Sequence, residues 1–176
     1  MTASPLQRLT AILREARAVP VLHEEAVPPS CIYDPLYRAM VISLTMRLCG
    51  KSSEGGQSLA EAKLKLFQFA AVHPELVPSV RKWASAHAGG AKPSLEGWAR
   101  FPRGYAADTV HERVLTYLVA TGECRRLGSN LVVRTDGKGL LISLANDAEA
   151  NDRFTVEREA LRELSELKIT LKMLGA

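Results

Sequence analysis

Residues 108–145 contain the pattern that most restricts the fold of this 176-residue chain. Asp108 precedes a run of apolar residues at helical spacing, and the run ends at the Thr-Gly pair 121–122. Aspartate is a common helix N-cap, and glycine commonly ends a helix. Two short runs then flank a Gly-Ser-Asn turn at 128–130, which predicts a β-hairpin. The polar step Thr-Asp-Gly-Lys-Gly at 135–139 supplies a cap and leads into another helix.

A helix, a hairpin and a second helix in this order are typical of a winged helix, in which the hairpin is the wing. We therefore predict a mainly α fold: a winged helix-turn-helix with a small β-hairpin wing, plus extra N- and C-terminal helices. The predicted parts of the chain are 1–30, an N-terminal helix and Pro-rich linker; 31–150, a helical domain with the wing at 123–135; and 151–176, a C-terminal amphipathic helix.

The remaining patterns also predict mainly helices. The Asp-Pro step at 34–35 starts a mostly buried helix that ends near Gly50. Residues 51–57, Lys-Ser-Ser-Glu-Gly-Gly-Gln, are predicted to be a flexible loop, and Ser58 is predicted to cap the next helix. Residues 154–174 predict one long amphipathic helix with a leucine stripe. This stripe either packs on its own domain or forms a seam with a partner helix or a second copy.

Composition excludes several classes of protein. With 47% hydrophobic residues the chain can build a core, so a fully disordered protein is excluded. Three scattered cysteines without a CxxC pair predict buried or unreactive thiols in a reducing compartment. The longest apolar stretch, 39–48, is interrupted by polar residues and is far shorter than the roughly 20 residues that span a bilayer. With no recognisable signal peptide, we expect a cytoplasmic protein that does not contact a membrane.

The sequence offers no recognisable catalytic, cofactor or metal motif. His23 and Glu24 begin like a zincin motif, but Val27 stands where the second histidine is needed. A GxxxxGK[ST] phosphate-binding loop and a GxSxG nucleophile elbow are both missing from the sequence. We therefore predict that the protein is not an enzyme and uses no cofactor or metal, with an enzyme of unrecognised site as the remaining alternative.

The predicted wing carries candidate contacts to a DNA backbone, because cations cluster around its turn. These cations are Arg125, Arg126, Arg134 and Lys138. The preceding helix takes the recognition-helix position and is expected to expose His111, Glu112 and Arg113, together with Thr116 and Tyr117. It contains no Asn or Gln to read adenine, and its carboxylate repels DNA, so sequence-specific reading is not expected. The wing docks on a protein, touches DNA without specificity, or is only structural.

A second basic region combines cations with aromatic side chains. The chain has 23 Lys+Arg and 19 Asp+Glu, a net charge of +4, and residues 59–105 supply this excess with seven basic and three acidic groups. Within it, 98–105 concentrates the aromatic and guanidinium groups that are enriched at interface anchors. The predicted partner-binding residues are Trp98, Arg100, Phe101, Arg103 and Tyr105. The alternative is a solvated rim around aromatic core residues.

Three segments together resemble a known family. They are Tyr-Asp-Pro-Leu-Tyr-Arg at 33–38, Lys-Leu-Lys-Leu-Phe-Gln-Phe-Ala at 63–70 with Val-His-Pro at 72–74, and the helix–hairpin unit described above. Over about residues 32–145 they resemble the small winged-helix middle subunit of bacterial three-component SMC/ABC-ATPase systems. The C subunit of the Lamassu anti-phage systems is the nearest example. The N-terminal helix, 6–18, is not part of the resemblance.

The resemblance implies a non-catalytic bridging subunit in an antiviral defence complex. Such a subunit docks on the heads of an SMC/Rad50-like ATPase and on an effector, a nuclease or another toxic protein, which it helps to keep inactive until foreign DNA is sensed. The stretch 98–105 would then contact the ATPase or the effector, with nonspecific contact to DNA at the heads. The alternative function is a dimeric winged-helix DNA-binding transcriptional regulator, with the last helix as its dimer seam.

Overall fold

In the computed structural model, residues 33–53, 56–88, 108–133 and 139–174 are described. They form a mainly helical fold with one four-stranded antiparallel sheet. The elements are α1 (Pro35–Cys49), β1 (Lys51–Ser53), β2 (Gly56–Ala60), α2 (Glu61–Val72), α3 (Val77–Ala88), α4 (Thr109–Ala120), β3 (Cys124–Leu127), β4 (Asn130–Val133), α5 (Leu140–Ala150) and α6 (Thr155–Ser165). Single 3-10 turns occur at Pro74–Leu76, Asp152–Phe154 and Lys172–Leu174.

Two helices begin where the sequence predicts, each at an aspartate. The Oδ1 atom of Asp34 accepts hydrogen bonds from the N–H groups of Leu36 and Tyr37, at 2.8 and 3.4 Å, in the first turn of α1. The Oδ1 atom of Asp108 accepts one from the N–H group of His111, at 3.1 Å, in the first turn of α4. These side chains satisfy amide groups that have no partner inside their helices. Both predicted caps are therefore confirmed.

The start of α5 is stabilised by a residue that is distant in sequence. The predicted cap at 135–136 lies outside the described residues, and Gly139 precedes the helix without a side chain to offer. Instead, the Oε2 atom of Glu123 accepts a hydrogen bond of 2.7 Å from the N–H group of Leu140. Glu123 directly precedes β3, so this bond connects the base of the hairpin to α5.

The sheet confirms the predicted hairpin and adds two strands to it. The strand order is β1–β2–β4–β3, and all neighbouring strands are antiparallel. In the β3–β4 turn Gly128 has a φ of +59°, a backbone conformation that favours glycine. The prediction of a loop at 51–57 was wrong, because this segment forms β1 and the start of β2. The cap predicted at Ser58 was wrong too, since Ser58 lies inside β2 and α2 begins after Ala60.

Helix α1 lies between two groups of buried apolar residues. Its residues Val41 and Leu44 pack with α2, α3 and α6 in one group. Its residues Ile42 and Met46 pack with α4, α5 and the sheet in the other. A helix that is apolar around most of its circumference is buried on most sides, as the mostly apolar sequence of α1 predicts. None of the described helices is long and apolar enough to cross a membrane.

The C-terminal helix is shorter than the sequence predicts. The prediction of one helix over 154–174 was wrong, because α6 ends at Ser165. The hydroxyl of Ser165 donates a hydrogen bond of 2.7 Å to the carbonyl oxygen of Arg162, a local contact that competes with continuation of the helix. Leu161 and Leu164 are fully buried. They pack in the same group as α1, α2 and α3, so this part of the leucine stripe packs on its own domain.

Candidate functional site

The structure describes two of the predicted site residues, Arg125 and Arg126, both exposed on β3. The other predicted DNA-backbone contacts and the whole predicted partner-binding set lie outside the described residues. They are Arg134, Lys138, Trp98, Arg100, Phe101, Arg103 and Tyr105.

The two described wing cations differ in their ion pairs. Arg126 makes a two-point contact with Glu61, with Nε 2.9 Å from Oε2 and Nη2 3.0 Å from Oε1. The hydrogen bond and the charge of Glu61 raise the pKa of Arg126 above its usual value. Arg125 has no ion-pair partner in the part of the chain that the structure describes. Since a carboxylate already neutralises Arg126, the described wing offers one unpaired cation to a phosphate backbone.

Helix α4 exposes a smaller polar surface than the sequence predicts. Glu112 and Arg113 are exposed, as expected, but His111 is 0% exposed, so the prediction that it faces solvent was wrong. His111 precedes Leu115 and Leu118 by four and seven residues, a spacing that puts all three on one face of a helix. That spacing was a signal in the sequence, and it places the imidazole in the interior.

The buried imidazole belongs to a polar cluster where α1, α2 and α4 meet, formed by Arg38, Gln68, Asp108 and His111 and here called the Asp108 cluster. The Oδ2 atom of Asp108 accepts a hydrogen bond of 3.1 Å from Nε2 of Gln68 and pairs with Nη2 of Arg38. Its Oδ1 atom caps α4 through the N–H group of His111. One carboxylate therefore holds three donors from three helices.

Burial decides the charge of the groups in this cluster. Burial lowers the pKa of Arg38 to about 10, so its guanidinium remains charged at neutral pH opposite Asp108. Burial, together with the charges of Arg38 and Lys65, lowers the pKa of His111 to about 4, while Glu112 acts in the opposite direction. His111 is therefore neutral at neutral pH. The cluster holds one internal ion pair beside one uncharged imidazole.

This arrangement suits positioning better than chemistry. The Asp108 carboxylate is engaged by all three donors. Burial raises the pKa of Cys49 to about 12 and that of Cys124 to about 11, so both thiols are protonated at neutral pH. Within the described ranges, no three His, Cys, Asp or Glu side chains are grouped so as to hold a metal ion.

The Asp108 cluster draws its residues from all three segments on which the family resemblance rests. Segment 33–38 ends with Arg38, segment 63–70 contains Gln68, and the helix–hairpin unit begins at Asp108. Sequence reasoning missed this convergence, although Arg38 and Gln68 are polar residues inside largely apolar helices. The chain matches none of the protein-family models, curated proteins or solved structures with which it was compared.

Proposed function

We propose that the protein is a non-catalytic accessory subunit that bridges an SMC/Rad50-like ATPase and an effector in a Lamassu-type anti-phage defence complex. The observation that carries the proposal is the Asp108 cluster. Three separate segments resemble the middle subunit of such systems, and their polar residues, Arg38, Gln68 and Asp108, meet at one buried point. The three segments that carry the resemblance therefore pack together as one unit around this carboxylate.

The same proposal includes a winged-helix unit built from α1, α2, α4 and the strands β2, β3 and β4. Its support is the order β2–β4–β3, in which the second strand of the wing pairs with a strand that follows the first helix. This is the sheet arrangement of winged helices in general. Strand β1 would then be an addition at the edge of the unit.

Two features of the wing and of α4 favour protein docking over reading of a DNA sequence. Arg126 is neutralised by Glu61, and Lys65 is likewise paired with Glu112 on the exposed side of α4, so both cations are already compensated by carboxylates. The predicted docking residues, in the stretch 98–105, precede Asp108 by a few positions in sequence. The Asp108 cluster therefore holds the start of α4, which follows that stretch in sequence, in place.

The alternative function, a dimeric transcriptional regulator, loses support from the C-terminal helix. Leu161 and Leu164 are both 0% exposed and pack inside the fold, so they cannot also form a seam with a second copy. A regulator would need another dimer surface. It would also need specific DNA affinity from a helix whose exposed residues include no Asn or Gln.

The test of the proposed function is assembly with an SMC/Rad50-like ATPase, which the proposal predicts to be encoded beside this gene. We expect the chain to co-elute with that ATPase in size-exclusion chromatography, and we expect the double variant Trp98→Ala/Phe101→Ala to lose this complex because it lacks the aromatic anchors. Tyr33→Ala is the matched control, since Tyr33 is aromatic and 64% exposed elsewhere on the surface. It should assemble normally.

Thermal unfolding separates docking from folding in this experiment. The double variant should keep a cooperative transition within about 4 °C of the wild type, which corresponds to about 1 kcal/mol for a chain of this size. A lost or broadened transition would make Trp98 and Phe101 core residues and refute their docking role. Tight, site-specific binding of duplex DNA at physiological salt would refute the accessory-subunit role in favour of the regulator.

A further inference from the structure

The strand register aligns a row of residues across the face of the sheet that points away from the core. Lys51 is opposite Ser58, Ser58 is opposite Val132, and Val132 is opposite Arg125. Residues that are directly opposite in antiparallel strands share one face of the sheet, and neighbours along a strand point to the other face. Leu59, next to Ser58, is buried in the core, so the row lies on the outer face.

Cations occupy both ends of this row. Lys51 and Arg125 are exposed, and three strand spacings of about 4.8 Å separate their backbones by about 14 Å. Lys63, near the start of α2, is a third cation close to Lys51: partial burial and, second, the charge of Lys51 lower the pKa of Lys63. Lys51, Lys63 and Arg125 are here called the sheet-face cations.

The carboxylates around the sheet are engaged elsewhere. Glu61 pairs with Arg126, Glu112 pairs with Lys65, and Glu123 caps α5. In the described ranges no ion pair joins a carboxylate to any of the sheet-face cations. Among the described residues, the outer face of the sheet therefore presents positive charge without an internal counter-charge.

Polar side chains next to this row also suit contact with phosphates. Ser129 and Asn130 are exposed at the adjacent turn, and such hydroxyl and amide groups donate hydrogen bonds to phosphates. Leu127, 50% exposed, is the one large apolar side chain exposed there among the described residues. Protein–protein interfaces are built around an apolar centre, whereas interfaces with DNA are polar and positively charged. This composition favours DNA over an acidic protein.

We propose that the outer face of the sheet binds the backbone of duplex DNA through the sheet-face cations. A span of about 14 Å covers about four nucleotides of one strand, at 3.4 Å of axial rise each. The charged side chains of the row contact phosphates rather than base edges, so the contact is independent of sequence. This inference rests on the proposed function and adds to it a contact with DNA. It is tested on the chain alone, whereas the subunit role is tested by assembly, so either can fail without the other.

The experiment measures binding of a short mixed-sequence duplex by fluorescence anisotropy between about 20 and 100 mM salt, where nonspecific contacts are strong enough to follow. Three neutralised phosphates predict a slope of about −2.7 for log K against log salt concentration. Each of Lys51→Gln, Lys63→Gln and Arg125→Gln should make the slope less steep by about 0.9 and lower the affinity about eightfold at 0.1 M salt. Each variant removes one positive charge, and circular dichroism checks that it folds.

Lys168→Gln is the matched control, since Lys168 is exposed on the C-terminal segment and its loss changes the net charge equally. It should keep the wild-type slope. The proposal is overturned if the triple variant binds DNA with the slope of the wild type, or if the wild type does not bind at about 20 mM salt, where the contact is strongest. It is also overturned if the triple variant loses assembly with the ATPase while its DNA binding is unchanged, because the face is then a protein interface.

Discussion

The buried imidazole of His111 makes the stability of the fold depend on pH in a direction that can be worked out. Its pKa is lowered from 6.5 to about 4 in the folded protein, mainly by burial. Below pH 6.5 the unfolded chain therefore binds a proton that the folded chain excludes. The contribution of neutral His111 to the free energy of unfolding is fully present above pH 6.5. It is lost as the pH falls from there toward the pKa of His111 in the folded protein.

The magnitude follows from the shift. A difference of about 2.5 units corresponds to about 3 kcal/mol in total, of which about 2 kcal/mol is lost between about pH 7.5 and 5.0. Urea unfolding followed by circular dichroism at both pH values measures this loss. Hydrogen bonding to Lys65 lowers the pKa of Glu112, whose contribution is therefore lost only below its ordinary value of 4.5, outside this window.

The variant His111→Leu isolates the effect, because leucine continues the apolar face of α4 and does not titrate. We expect its unfolding free energy to change by less than about 0.5 kcal/mol between about pH 7.5 and 5.0, apart from what other groups contribute. His87→Gln, at a half-buried histidine on α3, should keep the pH dependence of the wild type. If wild type and His111→Leu lose stability in parallel, the imidazole is not buried in its neutral form and the reasoning fails.

Two further substitutions test the Asp108 cluster and the C-terminal helix. Asp108→Asn leaves the Arg38 cation buried without a counter-charge, so urea unfolding should show a loss of about 3–5 kcal/mol; stability equal to the wild type would contradict the buried ion pair. Leu161→Ala should cost about 2–5 kcal/mol by opening a cavity, whereas Val156→Ala on the exposed side of α6 should cost under about 0.5 kcal/mol. Light scattering should show the same oligomeric state for both variants. A dimer that is lost only in Leu161→Ala would instead support a dimer interface formed by the leucine stripe.

The features that the sequence predicted well are those with local causes. An aspartate followed by proline starts α1, and an aspartate before an apolar run starts α4, because the cap and its donors lie within three residues. The tight turn of the β3–β4 hairpin is likewise determined by residues 128–130, with Gly128 at positive φ. Local chemistry was sufficient at each of these places.

The features that it missed depend on residues that are distant in sequence. Strands β1 and β2 contain no alternating apolar pattern, and β2 becomes a strand by pairing with β4. The segment after Ser165 leaves the helix and buries Ile169 in the core, although no Gly or Pro marks the change. Of the predicted site, Arg125 is exposed and free of ion pairs in the described ranges, while the partner of Arg126 came from α2.

The pairing of β2 with β4 also has a consequence for synthesis of the chain. Seventy residues separate Ala60 from Asn130, which face each other in the sheet. At about 5–20 residues per second, β2 leaves the ribosome roughly 4–14 s before its partner strand exists. During this interval the β2 edge that later faces β4 has no partner strand and is open to pairing with other chains, because β1 covers only the opposite edge. The sheet is therefore completed only after α4 and the second hairpin have been made.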